Sequence, residues 1–220
     1  MAAGEGRRLR PLTERYAKPV LPLDGRPVVV SLLRELAAAG IGRVTVVVGH
    51  LGGQIEALLR GFDQELVFVH QPEPLGSADA VLRAGVSPPY LVVAADTVFT
   101  PGDVARFREE SSGADGAIAL RRSPPPGPGR AAVRIEGGLV TRVIDDDPAN
   151  PLGGAPLWFL GEAVHAQLAR LPGPPFQLAD AFARAIASGA AVRGIEIGPT
   201  RDLTFPIDLL EENFPYLRSV

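Results

Sequence analysis

The first residues able to do chemistry come at once, in MAAGEGRRLRPLTERYAKP, residues 1–19. Gly4 and Gly6 bracket a glutamate, arginines follow, and the stretch closes on Lys18-Pro19. Loops of this composition suit phosphate, because a backbone N–H with no side chain beside it can approach an anionic oxygen closely. The chain has 22 Lys and Arg residues, and Lys18 is its one lysine. In so arginine-biased a sequence, a retained lysine suggests a place where a compact charge serves and a planar fork does not. Two further polar residues close apolar runs: Gln71 ends ELVFVHQ and Asp96 ends YLVVAAD. The opening loop is not a Walker loop, which needs Lys and Ser/Thr after its last glycine. Nor does it have the three-glycine dinucleotide spacing.

The elements that must position these residues follow from apolar periodicity. Helices are predicted over residues 27–40, 52–62, 77–85, 101–113, 176–189 and 205–217, and strands over 43–50, 65–71, 90–96, 114–122, 155–161 and 191–197. SPPPGPG, residues 123–129, reads as a stiff loop, and residues 131–145 as a hairpin turning at Gly137-Gly138. Alternating strands and helices, with strands as apolar as RVTVVV, predict an α/β fold. Its sheet is expected to be open, mainly parallel and Rossmann-like, with the hairpin as a small antiparallel addition. Ligands of such sheets bind at the carboxyl ends of the strands, where Gln71 and Asp96 fall.

The bulk properties exclude several classes. The net charge of −3 gives no basic field for nucleic acid, and the absence of cysteine removes disulfides, zinc thiolates and thiol nucleophiles. No apolar run reaches a membrane span, and the opening residues, with no apolar core, are not expected to act as a signal peptide. A cytoplasmic protein of one domain, residues 1–220, is expected.

The order GEGRRLRPLT, then AKPVLPLDGRPVV, QPEPLGSADAV, VVAADTVF and RDLTFPIDLLEENFPYL resembles the sugar-1-phosphate nucleotidylyltransferases, with their nucleotide-diphospho-sugar transferase fold. That resemblance covers nearly the whole chain. It implies an enzyme that joins a nucleoside triphosphate to a sugar-1-phosphate, giving a nucleotide-sugar and pyrophosphate. It implies that Ala3, Gly4, Gly6, Gln71, Gly76 and Ser77 bind the nucleotide, with Gly4 and Gly6 on the phosphates and Gln71, Gly76 and Ser77 in the nucleobase loop. Arg8 and Lys18 are then the catalytic cations, and Asp96 and Asp202 the ligands of Mg²⁺. Partners are the two substrates, without nucleic acid or membrane, and homo-oligomerisation stays open.

Two departures stand against the family pattern. The family's first strand runs straight into its glycine loop; here that strand is missing ahead of Met1, and an upstream apolar run is expected. A Glu-Lys-Pro segment that meets the sugar phosphate in many members is replaced by IDDDPANP, with Asp146 and Asp147 at the Glu and Lys positions and Arg142 as a candidate substitute. Two alternatives follow: a catalytically silent nucleotide-sugar-binding regulatory subunit, or transfer to a non-sugar phosphate such as phosphocholine. Arg7, Arg10 and Arg15 are expected in solvent. His50, His70 and His165 are read as structural, and Trp158 and Phe159 as core.

Overall fold

The computed structural model describes residues 1–122 and 132–214. The expected stiff loop over 123–129 and the end of the last predicted helix lie outside them. A hairpin of β1 (Pro22–Leu23) and β2 (Arg26–Pro27) turns at Asp24-Gly25. There follow α1 (Val28–Ala38), β3 (Arg43–Val48), α2 (Gly52–Leu59), β4 (Glu65–His70), α3 (Ser77–Arg83), β5 (Tyr90–Val93) and β6 (Thr97–Val98). Then come α4 (Asp103–Glu110), β7 (Gly116–Arg122), β8 (Ala132–Glu136), β9 (Leu139–Asp145) and β10 (Leu152–Leu160). The described chain closes with α5 (Glu162–Leu168), α6 (Leu178–Ala187), β11 (Val192–Glu196), β12 (Arg201–Asp202) and α7 (Pro206–Asn213).

These elements pack as two compact units: Met1–Pro74 with Ala94–Phe99 and Arg201–Val220, and Leu75–Val93 with Thr100–Thr200. No linker in the sequence marks the division, because each unit is assembled from separated stretches.

In the first unit β3 and β4 pair in parallel, Arg43 opposite Glu65 through Val48 opposite His70, with α2 as the crossover. Ala2 forms a parallel bridge to Val48. Its N–H donates to the Val47 carbonyl at 2.7 Å, and the Met1 carbonyl accepts from Ala95 N–H at 2.9 Å. Helix α1 buries Val28, Val29, Leu32, Leu33 and Leu36, one apolar stripe at helical spacing. Leu9, Leu21, Leu23, Val28 and Leu203 form a buried cluster, so the glycine loop, the hairpin and the segment after β12 share one core. Each such side chain contributes roughly 1.5–3 kcal/mol of burial. Helix α7 is tied down by polar bonds. Asn213 accepts from Gly25 N–H and donates to the Pro22 carbonyl, both at 2.9 Å. Arg201 bridges Asp24 at 2.6 Å and Glu212 at 2.5 Å.

The second unit corrects the expected sheet. Its six strands run β5-β10-β7-β11-β9-β8, and β10 also pairs with β8, closing five of them into a barrel-like sheet. Only β7 and β11 are parallel within it; the other pairings are antiparallel. The fold is therefore mixed α/β, and its sheets are neither one open layer nor mainly parallel. The physical reason is β10. Its nine residues bury one face and engage β5, β7 and β8, which draws the hairpin into the main sheet. Phe159 is buried in β10 and Trp158 half-buried. Helix α5 escaped prediction because its seven residues bury only Val164 and Leu168, too little to set a period.

Candidate active site

Gly6 holds the left-handed region, φ +62°. A Cβ there would lie 2.9 Å from Thr13 Cγ2 and 3.4 Å from Lys18 Cβ. Glycine thus lets the loop close on Thr13 and brings it against Lys18. Thr13, 1% exposed, donates its hydroxyl to the Gly6 carbonyl at 2.9 Å. Leu9 N–H donates to the same carbonyl at 2.8 Å, and the buried Leu9 side chain anchors the 3-10 turn Arg7–Leu9. Ala3 is buried, while Gly4 is exposed with no atom within 4 Å of where a Cβ would stand. Arg7 donates to Glu5 at 2.6 Å and holds that carboxyl below the usual range. Arg8 is exposed and forms no ion pair among the described residues.

Lys18 points its ammonium to Asp96, donating to Oδ2 at 2.5 Å, with the two side chains 13% and 30% exposed. Asp96 lies directly before β6, and the first residue of β6, Thr97, is paired with Asp202 of β12. The fold thereby brings two acids, far apart in sequence, to neighbouring register positions. Asp202 Oδ2 accepts from the Thr204 hydroxyl at 3.3 Å. Among the described residues no three His, Asp or Glu side chains form a cage for a metal. Magnesium seldom needs one, since one or two carboxylates plus substrate phosphates and water satisfy it. The Lys18 ammonium already neutralises Asp96. Asp96 and Asp202 are hard oxygen donors of the kind magnesium takes, set at neighbouring register positions.

The remaining predicted residues are placed as follows. Gln71 is buried, and its N–H extends the β3–β4 ladder to the Val48 carbonyl at 2.8 Å. Gly76 and Ser77 belong to the second unit, at the start of α3. Gly76 has φ +115°, and a Cβ there would lie 2.3 Å from the Phe176 carbonyl oxygen. The Ser77 hydroxyl accepts from Leu178 N–H at 2.8 Å and donates to Gln177 Oε1 at 3.2 Å. In the departure segment, Asp145 accepts from Arg134 at 3.1 and 3.2 Å and from Asn150 at 2.8 Å, and Arg142 approaches it at 3.7 Å. Asn150 first, then Arg134, hold the Asp145 carboxyl below its usual range. Asp146 and Asp147 are exposed, and Asp147 lies 3.4 Å from Arg134.

The three histidines all have partners: His50 with the Thr13 carbonyl at 2.7 Å, His70 with Glu56 at 2.8 Å, and His165 with the Tyr90 hydroxyl at 2.7 Å. Thr13, His50 and Gln54, whose hydrogen bonds hold the chain between Gly6 and Lys18, were not among the predicted site residues. Their only sequence signal is polarity at the edges of apolar elements.

Residues 1–188 match the family described as the MobA-like NTP transferase domain. The chain belongs to this NTP transferase family. Among curated relatives, the UTP–glucose-1-phosphate uridylyltransferase AglF of Haloferax volcanii is 28% identical, over 94% of this chain and 91% of that protein. A glucose-1-phosphate thymidylyltransferase of Streptomyces antibioticus is also 28% identical, over the whole of this chain and 66% of its own length. Among solved structures, a putative glucose-1-phosphate thymidylyltransferase from Bacillus anthracis superposes with a TM-score of 0.84 at 18% identity, covering 100% of this chain and 94% of that one. That likeness shows the NTP transferase fold. Among the described residues no helix is long and apolar enough to cross a membrane.

Proposed function

We propose that this NTP transferase moves a nucleoside monophosphate from a triphosphate onto a sugar-1-phosphate, releasing pyrophosphate. The observation that carries the reading is the lone lysine, set so near Gly6 that a Cβ there would lie 3.4 Å from its own, with its ammonium aimed 2.5 Å from Asp96. A sugar-phosphate oxygen attacks the α-phosphorus, and the bond to the pyrophosphate oxygen breaks. Backbone N–H groups around the open Gly4 receive the phosphate oxygens, and Arg8 clamps them with its planar fork. Lys18 is placed to meet the charge that shifts on the α-phosphate during the displacement. Asp96 and Asp202 would hold Mg²⁺, which supplies neutralisation of the triphosphate when bound. Glucose-1-phosphate, with UTP or dTTP, leads the candidate substrates, because the two curated relatives are named for these reactions.

The test is a pyrophosphate-release screen of the five common triphosphates against a panel of sugar-1-phosphates and phosphocholine, with Mg²⁺. The reading expects one triphosphate and one sugar-1-phosphate to turn over far above the rest. Turnover with phosphocholine alone would move the assignment to a non-sugar acceptor. Binding of a nucleotide-sugar without any turnover would favour a regulatory subunit.

A further inference from the structure

The backbone just before Lys18 belongs to no helix or strand. The 3-10 turn Leu12–Glu14 ends at Arg15, and the next begins at Lys18. Between them, Arg15 offers a carbonyl and Ala17 an amide, and one side chain takes both. Gln54, the third residue of α2, accepts from Ala17 N–H at 2.9 Å through Oε1 and donates to the Arg15 carbonyl at 2.7 Å through Nε2. One loop earlier, His50 Nε2–H donates to the Thr13 carbonyl at 2.7 Å, and Thr13 holds Gly6. The carboxyl end of β3 and the start of α2 therefore brace the chain on the lysine side and on the glycine side.

We propose that Gln54 is a positioning residue for Lys18, fixing the backbone from which the ammonium reaches Asp96. The chemistry selects glutamine. Its amide is both acceptor and donor, whereas glutamate cannot donate to Arg15 and methionine, of similar length, does neither well. A small displacement of a catalytic group has large kinetic consequences, so the brace matters more for rate than for folding. The kinetic part of this inference rests on Lys18 acting on the triphosphate, as proposed above.

The single lysine makes a direct test available. Protein labelled with ¹³C-lysine gives one Lys Cε resonance, which reports the ion pair to Asp96. Gln54→Met is expected to move this resonance toward its position in Asp96→Asn, with a cooperative melt retained. Turnover should fall about tenfold with the sugar-phosphate KM nearly unchanged. On a Lys18→Met background the same substitution should change turnover less than about twofold, because the group it positions is gone. An unmoved resonance in folded Gln54→Met, or an equal loss in both backgrounds, overturns the proposal. Should Gln54→Met fail to fold, Gln54→Glu, which keeps the acceptor, is read by the same resonance and the same two backgrounds. A resonance that moves as expected in a protein inactive toward every substrate pair would retain the positioning role and refute the transferase reading.

Discussion

Two glycine loops, one in each unit, were expected to hold the nucleotide, and they differ in what stands against them. Around Gly4 there is open space and an exposed Arg8, and only Gly6 is confined, by Thr13 and Lys18. Gly76 is walled in by the backbone of Phe176, and the hydroxyl of the next residue accepts from Leu178 N–H and donates to Gln177. The first loop keeps polar groups available to a ligand, whereas the second spends its contacts joining α3 to the start of α6. The same residue type thus marks two conditions, open space at Gly4 and room for the chain itself to pass at Gly76.

The two loops should differ most in their response to a methyl at Gly76. Gly76→Ala puts a methyl into the Phe176 backbone at a φ that only glycine holds easily, and should cost more than about 4 kcal/mol. Loss of soluble protein, or a collapsed melting transition, is the expected observation; a normal melt would show that the second loop is not confined. Gly6→Ala forces a left-handed alanine to within 2.9 Å of the buried Thr13 methyl. A loss of about 1–2 kcal/mol, or roughly 2–8 °C in Tm, is expected by thermal denaturation, together with weakened triphosphate binding. Ser77→Ala removes hydrogen bonds worth about 0.5–1.5 kcal/mol and should leave the KM for triphosphate within about threefold. A tenfold rise in that KM with unchanged Tm would place Ser77 on the substrate and make the two loops alike.

Much of this was legible in the sequence where the signal is local. The stripe on α1, the valine-rich β3 and the Gly137-Gly138 hairpin follow from periods that one segment carries alone. The sheet was misread because its order is set by contacts distant in sequence. Val192 pairs with Gly116, and Leu157 with Val93, and β10 takes three partners although its own pattern indicates only one buried face. At the site, Gly6 and Lys18 stood out by residue type. Gln54 did not, since a glutamine in the first turn of a short helix looks like a solvated residue until its two backbone partners are in place.

The central claim is that the one lysine acts on the triphosphate from its place beside the first glycine loop. The most direct measurement is single-turnover pyrophosphate release by Lys18→Met, at saturating substrates and Mg²⁺, in protein whose melting transition matches the unsubstituted chain. Loss of one preorganised charge at the reacting phosphate predicts a rate lower by about 10²–10³. A rate within about threefold of the unsubstituted protein, where removal of a positioned catalytic charge should cost far more, would contradict the account and leave Lys18 as a structural counter-ion to Asp96.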